Sequence, residues 1–210
     1  MALQVCGADV RECEKGSRST RESDTVKGII FNLLEGITTS QCGEDVWDDV
    51  LDQAAVEGAY TAIGSYPDGE FMALLGAVPM PELDTGERLR WFGRGAMPTL
   101  HRRYPMFFAD HTSTLPFLLT LNDVIHAEVR KLYPGATVPV FDFADDPADP
   151  DVLLLGYRSP RQLCMLAEGF VLGAAECFGE DVQLSQDVCM LRGDDHCQLR
   201  CRFPAARPRG

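Results

Sequence analysis

The spacing of apolar residues changes once along this chain, at the tripeptide Tyr133-Pro134-Gly135. In residues 26–131 apolar side chains recur at helical spacing between glycine and proline turns, as in Ile30, Leu34 and Ile37. Beyond residue 135 the chain has short runs that are typical of strands, with one helix predicted over 160–178. The sequence therefore predicts an α+β fold, in which an N-terminal helical lobe is followed by a small antiparallel sheet with helices.

The length of 210 residues is enough for one well-buried domain and does not require a second one. Residues 1–25 are polar and have little apolar periodicity, so we predict a flexible N-terminal tail, one domain over 26–204, and a C-terminal tail over 205–210. No stretch approaches the roughly 20 apolar residues of a membrane span, and the start of the chain has no apolar core of a signal peptide. We therefore expect a cytoplasmic protein without a membrane partner.

The formal net charge of -13, from 32 acidic and 19 basic side chains, repels polyphosphate. We therefore expect no nucleic acid among the partners and favour basic or neutral protein surfaces. The chain also has eight cysteines without an export signal. Because the cytosol keeps most thiols reduced, metal binding or redox chemistry is a better interpretation of these cysteines than a disulfide framework.

Two groups of polar residues lie close in sequence and point to one cofactor. Tyr157, Ser159 and Arg161 occupy alternate positions of an extended segment, so their side chains project from one side of it. A guanidinium fork and two hydroxyl donors can grip paired carboxylates. Upstream, His126 lies in a helix predicted over 115–131, and its imidazole can bind a metal. A metal ligand together with a double-carboxylate clamp suggests heme.

Three sequence motifs together resemble the heme nitric oxide/oxygen-binding (H-NOX) family. They are Lys27-Gly28-Ile29-Ile30-Phe31-Asn32, the His-x-x-Val-Arg-Lys-Leu-Tyr-Pro run over 126–134, and Tyr-x-Ser-x-Arg over 157–161. The likeness extends from about residue 27 to residue 203. The family includes the sensor domain of soluble guanylate cyclase and many bacterial gas sensors. The resemblance implies that residues 26–204 form an H-NOX domain with heme b between the two lobes, and that the chain is not an enzyme.

The resemblance also implies roles for individual residues around the heme. His126 matches the axial ligand of the iron, and Pro139 falls where the family has a proline that presses on the heme edge. Tyr157, Ser159 and Arg161 match the motif that holds the heme propionates. These residues therefore form the expected cofactor-binding set on the proximal side and at the propionate edge.

The gas preference depends on the distal wall, where bound oxygen gains from a hydrogen-bond donor and nitric oxide does not require one. Oxygen-binding members have a tyrosine at the position of Leu166. The six distal positions that follow from the resemblance are all apolar: Ile30, Leu34, Ala96, Leu100, Leu166 and Phe170. The resemblance therefore implies a nitric oxide sensor that excludes oxygen, with carbon monoxide as a further candidate ligand.

Signalling is also implied by analogy with the family. Nitric oxide binds ferrous heme, weakens the bond to His126 and releases a helix that the heme holds, so that the two lobes shift. The output is altered contact with a separate signalling protein, such as a histidine kinase or a cyclic-dinucleotide enzyme. The sequence does not choose between these partners.

A second metal site is suggested by Cys164, Cys189, Cys197 and Cys201, which are 25, 8 and 4 positions apart. Four thiolates suit tetrahedral zinc. The pattern resembles a subset of bacterial H-NOX proteins that bind zinc near the C-terminus. A regular strand would separate Cys197 and Cys201 by roughly 13 Å, so either the chain bends between them or one of them is not a ligand. Zinc could act as a structural staple or as part of a thiol redox switch.

Three other interpretations of the sequence compete with the gas sensor. His126-Ala127-Glu128 matches the H-x-E of zinc deaminases, but the P-C-x-x-C that this signature also needs is absent from the sequence, which argues against an enzyme. A zinc-stabilised thiol redox sensor is the second, and a heme-free small-molecule-binding module of the same fold is the third. A porphyrin absorption spectrum separates the last of these from a heme sensor.

Overall fold

The computed structural model describes residues 25–204. The predicted C-terminal tail lies outside this range, and so does the predicted N-terminal tail except for Thr25, which begins the first strand. Within residues 25–204, no helix is long and apolar enough to cross a membrane.

The N-terminal half is a helical lobe with one two-stranded sheet. Its elements are β1 (Thr25–Lys27), α1 (Gly28–Cys42), α2 (Val46–Ala54), β2 (Ser65–Pro67), α3 (Asp68–Ala77) and α4 (Thr85–Arg103). The strands β1 and β2 pair antiparallel and lead directly into α1 and α3. The sequence did not predict these two strands, because three residues are too few for an alternating pattern. Asp84 and Glu87 start α4 with a reciprocal capping box.

The C-terminal half contains a four-stranded antiparallel sheet, so the predicted α+β class is confirmed. Its elements are α5 (Thr114–Leu118), a π turn (Leu121–Ile125), α6 (His126–Leu132), β3 (Val140–Asp146), β4 (Asp149–Arg158), α7 (Cys164–Phe178), β5 (Gln183–Val188) and β6 (Cys197–Arg202). The order across the sheet is β3-β4-β6-β5, which leaves β3 and β5 at its edges.

Two predicted helices differ from the structure. The single helix predicted over 115–131 is divided by the π turn, in which the Ile125 amide donates to the Thr120 carbonyl oxygen at 3.1 Å, five residues back. The helix predicted over 160–178 begins only at Cys164. A turn closed by a 3.1 Å hydrogen bond from the Gln162 amide to the Ser159 carbonyl oxygen precedes it, with Gln162 in a left-handed conformation.

The helix α7 lies between the helical lobe and the sheet. One of its faces contributes Ala167, Val171 and Ala174 to a core with the sheet residues Leu155 and Leu199. The opposite face of α7 packs on α4. At the closest points, the two backbones leave no room for a side chain between them. An added Cβ at Gly93 of α4 would lie 2.6 Å from the Leu166 carbonyl oxygen of α7. The two helices therefore touch backbone to backbone.

Replacement of Gly169 by alanine tests this contact. A Cβ at Gly169 lies 2.3 Å from the Arg90 carbonyl oxygen, so α7 and α4 would have to separate. We expect a loss of about 1–3 kcal/mol in the free energy of unfolding, measured by urea denaturation. Gly36→Ala in α1 is the matched control, because nothing lies within 4 Å of its Cβ, and it should be neutral or stabilising by up to about 1 kcal/mol. Unchanged stability of Gly169→Ala would contradict the close contact.

Candidate functional site

His126 is the first residue of α6, directly after the π turn. Its imidazole is half-buried, and its Nδ1 atom is enclosed without a hydrogen-bond partner among residues 25–204. The pKa of His126 is lowered to about 4, chiefly by burial and also by the positive charge of Arg130, while the Pro139 carbonyl opposes this shift by accepting a hydrogen bond. The side chain is therefore neutral at physiological pH, which is the protonation state that binds a metal.

The surroundings of His126 include two residues of the segment that leads into the sheet. Pro139 contacts it through the carbonyl group, so the structure brings these two predicted site residues together. The ring of Phe141 lies 5.7 Å from the imidazole, measured between ring centroids, with an interplanar angle of 31°. Phe141 belongs to the edge strand β3, which therefore forms one wall beside the imidazole.

Tyr157 and Ser159 form a buried hydrogen-bonded unit at the end of β4. Tyr157 is 3% exposed and Ser159 is 8% exposed. The hydroxyl oxygen of Tyr157 accepts a 3.1 Å hydrogen bond from the Leu163 amide, and Ser159 also hydrogen-bonds to this tyrosine. Burial raises the pKa of Tyr157, so the phenol stays protonated. Ser159 Oγ accepts from the Arg161 amide at 3.3 Å, which links all three members of the predicted clamp.

The guanidinium of Arg161 reaches out of the turn after β4 and into the helical lobe. Its Nε atom lies 3.0 Å from Oδ2 of Asp68, and its terminal nitrogen donates to the carbonyl oxygen of Thr25. Asp68 is the first residue of α3, and Thr25 is the first residue of β1. Arg161 therefore holds a carboxylate, as a propionate clamp requires, and at the same time joins the two halves of the fold.

The six predicted distal residues come together in one apolar cluster of the helical lobe. Leu34 and Ala96 are fully buried in this cluster. The other four pack against it and are partly exposed, and they are Ile30, Leu100, Leu166 and Phe170. They come from α1, α4 and α7, so helix packing and not chain proximity assembles the wall. None of the six side chains can donate a hydrogen bond.

The structure brings together three of the four cysteines that were predicted to bind zinc. The sulfur atoms of Cys164, Cys189 and Cys197 all lie within 4.8 Å of one another, and the three residues are buried. The closest pair, Cys164 and Cys189, is 3.7 Å apart. Cys201 is outside this group, because it lies four residues beyond Cys197 on the regular strand β6. The structure thus favours the alternative in which one of the four is not a ligand.

The local environment keeps the thiols of Cys164 and Cys197 protonated. Burial raises the pKa of Cys164 to about 12, although a hydrogen bond from the Gln186 side chain opposes this effect. Burial likewise raises the pKa of Cys197. Cys201, buried beside the carboxylate of Glu168, also has a pKa raised to about 12. Metal ions bind thiolates and not thiols. A metal ion would therefore have to displace protons from this group in order to bind.

Sequence reasoning missed three residues that contact the predicted site: Asp68, Asn122 and Phe141. Asp68 follows Gly64, Ser65 and Pro67 in a stretch typical of a turn, and no local pattern indicates that it contacts Arg161. Asn122 did leave a signal, because it is a polar residue one helical turn before His126, on the same face. Its amide side chain bonds to the backbone of Phe141 at 2.6 Å and 3.1 Å.

Comparison with known proteins agrees with this geometry. A family model described as Haem-NO-binding matches residues 27–186. An H-NOX protein from S. oneidensis, a triple mutant in the Fe(II) state, has a TM-score of 0.78 at 33% identity, covering 85% of this chain and 96% of that chain. The same protein in the Fe(II)NO state has a TM-score of 0.77 at 33% identity, covering 85% and 99%. A comparison with curated protein sequences finds no match.

A third structure is the H-NOX domain from Shewanella oneidensis in the Fe(II)CO state, solved by NMR. It has a TM-score of 0.77 at 32% identity and covers 86% of this chain and 99% of that chain. With the family model matching most of its length, the chain belongs to the Haem-NO-binding (H-NOX) family. Domains of this family are heme-based gas sensors, and they are sensor modules rather than enzymes.

The contact between Arg161 and Asp68 can be tested by a double-mutant cycle with Arg161→Gln and Asp68→Asn. The two side chains are 15% and 29% exposed, so their ion pair is only partly screened by solvent. We expect a coupling energy of about 1–2 kcal/mol in urea denaturation. A control cycle uses Arg94 and Glu176, which pair at the surface with exposures of 57% and 45% and should couple by about 0.5 kcal/mol or less. Equal coupling in the two cycles would contradict the structural role of Arg161.

Proposed function

We propose that this chain is a heme-based nitric oxide sensor that excludes oxygen and regulates a separate signalling protein. The observation that carries the proposal is the neutral, enclosed imidazole of His126, which has an unpartnered nitrogen. Unpartnered polar atoms are rarely buried, because their desolvation is not offset by a hydrogen bond. Iron coordination by the imidazole supplies a reason for this histidine to be kept neutral in a buried position.

Heme supplies an iron with an open position for a diatomic gas. In the proposal, His126 binds the iron and the clamp of Tyr157, Ser159 and Arg161 holds the propionates. The grip of Arg161 on the Asp68 carboxylate supports this assignment, since a propionate presents the same two oxygens. Pro139, next to His126, would press on the edge of the porphyrin.

The apolar distal cluster supports a preference for nitric oxide over oxygen. Bound oxygen carries partial negative charge and gains from a donor, and the six distal side chains offer none. The S. oneidensis relative has been solved as Fe(II)NO and Fe(II)CO forms, so both gases are candidate ligands here. The lack of a hydrogen-bond donor is the proposed reason for the exclusion of oxygen.

Signal output is proposed to begin at His126. On binding of nitric oxide, this histidine would be released from the iron, and α6 would no longer be held toward the heme. The surface that contains α5, the π turn and α6 would then change its contact with a partner, for which a histidine kinase or a cyclic-dinucleotide enzyme is the candidate class. A cytoplasmic location fits the six cysteines among residues 25–204, all of which are free thiols.

The absorption spectrum of the dithionite-reduced protein tests the heme proposal. After reconstitution with hemin, we expect a Soret band that nitric oxide shifts to the position of a five-coordinate nitrosyl, whereas air produces no stable oxygen complex. His126→Ala should lose most of the heme or give the spectrum of iron without a protein ligand. His101→Ala is the matched control and should keep the parent spectrum, because the ring of His101 packs on the ring of Phe108, with 4.4 Å between the centroids, whereas the ring of His126 packs on Phe141.

Each alternative outcome of this experiment has a separate meaning. Absence of a Soret band in the reconstituted parent would contradict the sensor proposal and favour the heme-free binding module of the same fold. A stable oxygen complex would keep the heme but contradict the argument from the apolar distal wall. An unchanged spectrum of His126→Ala would exclude His126 as the ligand.

A second proposal concerns the group of Cys164, Cys189 and Cys197, to which we assign a zinc ion. The support is the placement of three buried sulfur atoms within 4.8 Å of one another, at the junction of α7 with the strands β5 and β6. Three thiolates plus one further ligand form a common tetrahedral zinc site. Zinc there would staple the sheet to α7. Oxidation of the same thiols is the alternative, in which the group acts as a redox sensor.

Elemental analysis of the purified protein tests the zinc assignment. We expect about one zinc per chain in the parent, and a large loss in Cys164→Ser, because only two of the three sulfurs then remain. Cys201→Ser and Cys42→Ser are controls that should keep zinc, since neither residue belongs to the group. Retention of zinc by Cys164→Ser together with its loss from Cys201→Ser would contradict the three-sulfur site.

A further inference from the structure

The side chain of Asn122 hydrogen-bonds to the backbone at the edge of the sheet, as a neighbouring strand would. Its Nδ2 donates to the Phe141 carbonyl oxygen at 2.6 Å, and its Oδ1 accepts from the Phe141 amide at 3.1 Å. Phe141 lies on β3, and among residues 25–204 no further strand pairs with the outer edge of β3. One amide side chain therefore satisfies both the donor and the acceptor of this residue.

Phe141 is the residue through which this contact reaches the heme site. Its ring lies 5.7 Å from the ring of His126 and 5.7 Å from the ring of Tyr157. Tyr157 is also its register partner on β4. The Asn122 contact thus holds a residue whose side chain lies between the candidate iron ligand and the predicted propionate clamp.

Asn122 also lies inside the π turn that precedes His126. A π turn is an uncommon break in the regular hydrogen bonding of a helix, and it changes the direction of the residues that follow. Asn122 and His126 are four residues apart, so both face β3, the first toward the Phe141 backbone and the second toward its ring. The two hydrogen bonds connect the π turn to the sheet. The turn directly precedes His126 and sets the direction of its side chain.

We propose that Asn122 is a positioning residue, which sets the orientation of His126 toward the iron by fixing the π turn to the backbone of Phe141. The inference deepens the proposed heme function and rests on it. Loss of the amide group releases the turn from β3, and His126 then approaches the iron with a less constrained angle. The iron–histidine bond is correspondingly weaker.

Asn122→Leu tests the proposal, since leucine keeps a similar volume and removes both hydrogen bonds. Two readouts on the full chain are needed. In the heme-free protein, hydrogen exchange of the Phe141 amide should accelerate roughly tenfold, which corresponds to the loss of one net hydrogen bond. In the ferrous heme-loaded protein, the iron–histidine stretching band in the resonance Raman spectrum should broaden and move to lower frequency.

Asn32→Leu is the matched control. Asn32 is the only other asparagine of the chain, and its amide donates to the Tyr60 carbonyl oxygen at 3.1 Å within the helical lobe. The substitution removes a comparable hydrogen bond and should leave the iron–histidine band of the parent unchanged. If the leucine variant at 122 folds poorly, Asn122→Asp, which is nearly isosteric, removes the donor to the Phe141 carbonyl and should move the band in the same direction.

The outcomes separate this inference from the function on which it rests. A parent protein that takes up no heme contradicts both. Heme uptake and normal exchange at Phe141 in Asn122→Leu would show that the hydrogen bonds contribute nothing in solution. Faster exchange with an unchanged iron–histidine band would reduce Asn122 to a structural cover of the sheet edge. Only faster exchange together with a shifted band supports the positioning role.

Discussion

The backbone contact between α4 and α7 is the constraint on which the rest of the fold depends. Gly93 and Gly169 bring the two helices so close that a single added methyl group would meet backbone atoms. Across the same interface, two guanidinium nitrogens of Arg90 donate to Oε2 of the buried Glu168, at 2.8 Å and 2.6 Å. Because α7 packs on the sheet with its other face, the same contact joins both cores. Four of the six residues predicted for the distal wall lie on these two helices, so their interface also positions these candidate pocket residues.

The proximal side is held in a different way. Around His126 the chain is divided into a five-residue helix, a π turn and a seven-residue helix, and two hydrogen bonds from Asn122 connect this segment to the sheet. Segments with few buried contacts open at lower free energy than helices with extensive packing. In the proposed sensor, a change in the bond between His126 and the iron would therefore act on the weakly held segment, while the α4–α7 interface would keep the proposed distal wall in place.

Arg161 connects these two sides at the propionate edge. Its ion pair with Asp68 and its hydrogen bond to the Thr25 carbonyl link the turn after β4 to the first elements of the helical lobe. Any carboxylate that approaches the clamp has to share this guanidinium with Asp68. In the proposed heme site, binding of a propionate by the clamp would thus be coupled to the contact between the two halves of the chain.

The sequence by itself determined the α+β class, the order of helical lobe and sheet, and the candidate ligand His126, since these depend on local apolar spacing and short motifs. Strand limits are less accurate from sequence: the run over 138–143 is typical of a strand, whereas β3 extends from Val140 to Asp146. Only the tertiary structure decided that Cys201 is separate from the other three thiols, that Arg161 meets Asp68, and that Asn122 binds Phe141. The position of Cys201 and the two contacts all depend on how helices and strands pack. Periodicity indicates only which face of its own element a residue occupies.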